Sequence, residues 1–242
     1  MHMTATNTDF RVMTSGAFTA AHFALLPQVE HLTKLKVVTV TTSIGTGDTS
    51  IPNRLKRGEV ADLVIVAERV LRQFIADGLV MSDGWAVVAR SSIGVAVRKG
   101  APKPDIGSLE ALKNTLLQAK SVGYSASESG KYLTTELYQR LGIAEQMLPK
   151  SRLIGGGARV GAVVARGDLE IGFQQMSELL PVAGLDHITP LPSEAQKVSS
   201  FAAGVAATSP NPPLVRSVIQ FLLSPDAAPV IAKTGLEPAG SR

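Results

Sequence analysis

Three stretches of this 242-residue chain place small hydroxyl or glycine residues directly ahead of a segment with helical spacing. They are Thr14-Ser15-Gly16-Ala17, Asp48-Thr49-Ser50-Ile51-Pro52 and Tyr124-Ser125-Ala126-Ser127-Glu128-Ser129-Gly130. A fourth, Gly155-Gly156-Gly157, runs through Arg159 into another such segment. The first turn of a helix has N-H groups without internal partners and the positive end of the backbone dipole, so small residues there let an oxyanion approach the main chain. The same residue types are also the usual helix caps, which bind nothing. The candidate anion donors are therefore Thr14, Ser15, Gly16, Ala17, Asp48, Thr49, Ser50, Ser127, Ser129 and Gly157.

Four longer side chains stand beside these turns. Arg159 follows the triple glycine, where a planar guanidinium can grip a carboxylate through two parallel hydrogen bonds; a solvated arginine is the competing reading. Arg90, beside Ser91 and Ser92, offers the same two readings. Gln174 and Gln175 close an apolar run, where an amide can orient a ligand as donor and acceptor or can satisfy a sheet end. Asp48, Glu128, Glu178 and His22 are the acid-base candidates near the loops, and none has triad or metal-ligand spacing. No Lys-Ser/Thr follows the glycines at the phosphate-loop offset. No metal and no cofactor is expected.

The elements that must position these residues alternate between short β-branched runs and helical stretches. Strands are expected over 10–13, 36–42, 61–66, 93–97, 121–124, 170–174 and 198–206, and helices over 52–58, 68–77, 108–118, 130–141, 160–166, 176–180, 213–223 and 226–233, with one more opening at Phe18. Buried apolar strands separated by helices imply parallel crossovers, and in open α/β sheets the loops at the carboxyl ends of the strands gather at one edge.

Composition bounds the rest. With 45% apolar and 18% charged residues the chain is too apolar for disorder, and no apolar stretch reaches the roughly 20 residues a spanning helix needs. The absence of cysteine removes thiol catalysis and disulfides, and a net charge of +4 without a basic block argues against nucleic acid while permitting a small anion. Met1-His2-Met3 is read as an artificial extension ahead of a natural mature start.

At the stretches Val12-Met13-Thr14-Ser15-Gly16-Ala17, Asn53-Arg54-Leu55-Lys56-Arg57-Gly58-Glu59-Val60-Ala61-Asp62-Leu63 and Ser129-Gly130-Lys131-Tyr132 the chain resembles type II periplasmic binding proteins, in the group typified by the molybdate-binding proteins of ABC transporters. The likeness extends over about residues 9–236. It implies an α/β, two-lobed periplasmic binding protein type II fold, each lobe a mostly parallel sheet flanked by helices, with a hinge between them. Residues 9–89 plus 198–236 would form lobe 1 and residues 90–197 lobe 2. It also implies periplasmic localisation, ligand capture by hinge closure, and an ABC permease as a partner.

Two departures bear on the ligand. Molybdate binders carry a tyrosine hydroxyl after the late strand, where this chain has Phe173-Gln174-Gln175, and Arg159 stands near a position that is normally uncharged. An arginine suits a carboxylate better than an oxyanion held by neutral donors. The expected function is binding of a small di- or tricarboxylate as a solute-binding protein. An alternative on a related offshoot of the family is aconitate isomerase, which moves a double bond by a proton shift, with Glu128 or Asp48 as the acid-base groups and Arg159 as the stabilising cation. A molybdate or tungstate receptor is the third reading.

Overall fold

A computed structural model describes residues 9–41, 47–155 and 158–240. The chain divides into two compact units: residues 1–90, 200–233 and 237–242 form one, and residues 91–199 with 234–236 form the other. No helix among the described residues is long and apolar enough to cross a membrane.

The first unit is built on a six-stranded sheet ordered β11-β4-β10-β3-β1-β2. Its strands are β1 (Asp9–Thr14), β2 (Lys36–Thr41), β3 (Leu63–Ala67), β4 (Val80–Ser91), β10 (Ser199–Ala206) and β11 (Glu237–Pro238). β1 runs parallel to both β2 and β3, while β10 is antiparallel to β3 and β11 to β4. All five residues of β3 are buried, as a strand covered on both faces requires. Helices α1 (Gly16–Thr33), α2 (Ile51–Lys56), α3 (Glu68–Ala76), α10 (Pro212–Leu222) and α11 (Ala228–Ala232) complete this unit.

Asp62 explains one of the stretches that carry the resemblance. Its buried carboxylate accepts from the Arg11 backbone N-H (2.8 Å) and the Ser209 hydroxyl (2.8 Å), and the Ala206 N-H donates to its carbonyl (2.9 Å). This one residue thus ties the start of β3 to β1 through its side chain and to the end of β10 through its carbonyl, and its role is architectural.

The second unit has a five-stranded sheet ordered β7-β6-β8-β5-β9, with β5 (Ile93–Arg98), β6 (Val122–Ser125), β7 (Ser151–Ile154), β8 (Ile171–Gln175) and β9 (Leu185–Pro190). β6 is parallel to β7 and β8, and β5 is antiparallel to β8 and β9. Its helices are α4 (Leu109–Gln118), α5 (Glu128–Tyr132), α6 (Tyr138–Arg140), α7 (Ala144–Met147), α8 (Val160–Arg166) and α9 (Met176–Leu179). A π-turn at Leu133–Leu137 joins α5 to α6 without a break.

Strands β4, β7, β9 and β11 were not expected from the sequence. Ser82-Asp83-Gly84 interrupts the β-prone pattern of β4, and β7 and β9 are edge strands whose Ser151, Arg152, Asp186 and His187 obscure the alternation. Helix α1 continues to Thr33 through Pro27.

Candidate functional site

Each unit has the same construction at one edge. In both, the first parallel strand lies in the middle of a trio, the second on one side and the third on the other, so the crossover direction reverses beside the central strand. The carboxyl edge at such a reversal is where open α/β sheets bind ligands.

In the first unit the trio is β2-β1-β3, with Thr14 level with Thr41 and Ile65. The Ser15 N-H donates to the Ile65 carbonyl (2.9 Å), which fixes the turn out of β1. The Ser15 carbonyl accepts from Thr14 Oγ1 (3.2 Å), Thr19 Oγ1 (3.1 Å) and the Phe18 N-H (3.3 Å). Ser15 is the N-cap residue, yet its side chain makes no cap bond. The Gly16 and Ala17 N-H groups meet no acceptor among the described residues, so an 18-residue helix opens with donors unspent.

The Asp48–Ser50 loop follows β2 and is held from its own helix. Arg57 Nη1 donates to the Asp48 carbonyl (2.7 Å) and Arg54 Nε to the Thr49 carbonyl (2.9 Å), while Arg54 also pairs with Glu59 (2.7 Å). Asp48 and Thr49 are exposed; Ser50 is buried and its Oγ has no partner among the described residues. Arg90 lies level with Glu237 across β4 and β11, with Nη1 3.9 Å from Oε1, so its charge already has a partner. His22 is buried, accepts or shares a proton with Thr39 Oγ1 (2.7 Å), and desolvation lowers its pKa to about 4, which leaves it a neutral structural residue.

In the second unit the trio is β7-β6-β8. Ser125 is level with Ile154, and Gly123 with Gly172, so Gln174 lies two residues farther along β8, at the height of Ser125. Neighbouring strands are about 4.8 Å apart, which brings the loops after Ser125, Ile154 and Gln174 to one edge. A methyl group at Gly172 would come within 2.9 Å of Val160 Cγ1 and 2.8 Å of Val164 Cγ2; the missing side chain lets α8 lie directly on the sheet and so sets its N-cap, Arg159.

After β6, Ser125 Oγ, Ser127 Oγ and Ser129 Oγ form a chain of hydroxyls with steps of 2.7 and 3.1 Å. Gly130 permits it, because any Cβ there would run into the Ser125 carbonyl. Glu128 is half-buried in the first turn of the helical run. After β7, Arg159 is exposed and its guanidinium makes no hydrogen bond or salt bridge with any described residue. Gly157 lies outside the described residues.

After β8 the two glutamines have different roles. Gln175 is 1% exposed, and with its oxygen accepting from Ser199 Oγ (3.0 Å) its nitrogen donates to Ser91 Oγ (3.0 Å) and the Ser92 carbonyl (3.3 Å). It therefore clamps both segments, at 91–92 and 199, where the chain passes from one unit to the other. Gln174 Nε2 donates to Glu178 Oε2 (2.7 Å), and Gln174 Oε1 and Ser177 Oγ are buried without partners among the described residues. Burial raises the Glu178 pKa to about 7, partly offset by the charge of Arg159 and the bond from Gln174. A glutamate that titrates near neutrality beside an uncommitted guanidinium can exchange a proton with a bound anion.

The structure thus brings Ser127, Ser129, Glu128, Arg159 and Gln174 to the edge of one trio, and Thr14–Ala17 to the edge of the other. Glu178 was among the acid-base candidates in the sequence without being singled out. Its signal lies in the Gln174-to-Glu178 spacing of four residues, which becomes meaningful only once a strand is seen to end between them.

A family model for bacterial extracellular solute-binding proteins matches residues 10–237. An aconitate isomerase of a Pseudomonas species is 39% identical over 232 residues, which cover 96% of this chain and 88% of that protein. Among solved structures, the periplasmic molybdate-binding protein of Azotobacter vinelandii superposes with a TM-score of 0.75 at 15% identity, covering 94% of this chain and 98% of that one. The sulfate-binding protein of Mycobacterium tuberculosis H37Rv gives 0.76 at 17%, covering 97% and 88%.

Proposed function

The chain belongs to the bacterial extracellular solute-binding proteins, and from that premise we propose that it is an aconitate isomerase, interconverting the cis and trans tricarboxylates in the periplasm without a cofactor. The observation that carries this reading is the 39% identity sustained over 96% of the chain, far beyond what a shared fold alone requires.

The chemistry at the second unit's edge supports it. Moving the double bond breaks a C-H bond beside the alkene and spreads the electron pair over the allylic carbons and the attached carboxylate. That charge needs a fixed cation close by, in a place already organised to receive it. Arg159 is the uncommitted cation, and its planar fork suits a carboxylate. The hydroxyl chain of Ser125, Ser127 and Ser129, on the same unit, offers neutral donors for a second carboxylate.

Proton NMR of trans-aconitate incubated with the purified protein tests the proposal. Appearance of the cis isomer without any added cofactor supports it. Thermal stabilisation by aconitate or tricarballylate without conversion overturns it in favour of a carboxylate receptor that serves an ABC permease; stabilisation by molybdate alone would restore the oxyanion receptor. A ligand at 100 times its Kd stabilises by about 2.7 kcal/mol, which is readily visible as a shift in Tm.

A further inference from the structure

Resting on the isomerase reading, we infer that Glu178, rather than Glu128 or Asp48, is the group that carries the proton between the two allylic carbons. Three features of the fold single it out. It follows β8 directly, so the turn into α9 puts it at the edge where the loops after Ser125 and Ile154 also emerge. One carboxyl oxygen is held by Gln174 Nε2 at 2.7 Å, while the other has no partner among the described residues, which leaves one oxygen oriented and one available. The residue is only 9% exposed, and among the described residues Arg159 is the charged group that acts on it.

The surroundings have unmet hydrogen-bonding capacity. Gln174 Oε1 and Ser177 Oγ are both sealed from solvent with no partner among the described residues, so two orphaned polar atoms lie within four residues of the carboxyl. Buried polar atoms without partners are uncommon, and they concentrate where a ligand or water completes the set. Asp48, by contrast, is exposed on a loop whose carbonyls Arg54 and Arg57 bind.

The step balances with this residue alone. The Glu178 carboxylate accepts the methylene proton; the C-H pair becomes the delocalised allylic anion; the resulting carboxylic acid returns the same proton to the former alkene carbon. One carboxyl group takes and gives, and nothing is oxidised or reduced. Burial supports the assignment, since a carboxyl titrating at about 7 serves as base and acid at neutral pH.

The test compares wild type with Glu178→Gln, Glu178→Asp and Gln174→Leu, using trans-aconitate turnover by NMR, deuterium incorporation from D2O and tricarballylate binding. Glu178→Gln should lower kcat by about 10³-fold with tricarballylate binding retained, and Glu178→Asp should recover part of the rate. Gln174→Leu removes a donor that favours the carboxylate, so the rising limb of its pH-rate profile should move to higher pH. A Glu178→Gln protein that still turns over, or a Gln174→Leu profile that does not move, overturns the inference; the second result decides it even if the first variant does not fold. If wild type itself shows no conversion, the isomerase reading fails and this inference with it. Turnover in wild type and Glu178→Gln but not in Glu128→Gln refutes the inference alone.

Discussion

The edge of β2, β1 and β3 and the edge of β7, β6 and β8 share a topology but differ in charge. At the first, the donors are main-chain N-H groups and hydroxyls, and the nearby cations are committed: Arg54 and Arg57 to the loop's own carbonyls, Arg90 to Glu237. At the second, Arg159 is uncommitted and Glu178 is buried and titrates near neutrality. An edge whose cations are committed and whose acid, Asp48, is exposed is suited to holding an anion rather than moving its protons; an edge with a free cation and a desolvated acid can do both. The two units thus share a strand order at these edges, while the free cation and the buried acid lie at one of them.

Apart from loss of the acid itself, removing the cation should break this difference most severely. Arg159→Met should lower kcat/KM for aconitate by about 10²-fold or more, the size expected when a donor aimed at developing charge is lost. Arg159→Lys should recover only part of this, because an ammonium cannot reproduce the planar fork. Steady-state NMR kinetics would check both, and an Arg159→Met enzyme with unchanged kcat/KM would leave the two edges equivalent.

The buried acid predicts a pH dependence of stability. Glu178 titrates at about 7 when folded against an ordinary 4.5, so the folded protein retains a proton that the unfolded chain releases between these values. Stability from this group is therefore greatest below pH 4.5 and declines as pH rises to 7, by about 3 kcal/mol in the limit where the whole shift is expressed. Denaturant midpoints at pH 5 and pH 8 should be farther apart in wild type than in Glu178→Gln. Equal separations would place the carboxyl in solvent.

A packing prediction sharpens the comparison from the structural side. Gly130→Ala puts a methyl into the Ser125 carbonyl, and overpacking of this kind costs about 1–3 kcal/mol. It should also disturb the hydroxyl chain through Ser125, Ser127 and Ser129, so activity should fall along with the denaturation midpoint.

Much of this edge was legible in the residue types, and the remainder depended on register. Thr14-Ser15-Gly16 and the serines around Ser127 announce helix starts because hydroxyls and glycine have few other uses there. Arg159 stood out beside three glycines. Nothing in the sequence separates Gln174 from Gln175, since adjacent strand residues point to opposite faces and only the sheet decides which neighbour each meets. One proves to clamp the crossing segments at Ser91, Ser92 and Ser199, while the other holds Glu178. Strand β4 escaped notice for a related reason: its pairing with β10 and β11 outweighs the turn-like Ser82-Asp83-Gly84.

The smallest expected effect concerns the neutral edge. Ser15 Oγ makes no cap bond, so Ser15→Ala removes a hydroxyl that helix α1 does not use. Stability should therefore change by less than about 0.5 kcal/mol, whereas an ordinary N-cap serine costs about 1 kcal/mol when truncated. Denaturant midpoints of wild type and Ser15→Ala check this, and a loss of about 1 kcal/mol or more would show that the hydroxyl caps the helix after all, leaving the first edge one donor fewer to offer an anion.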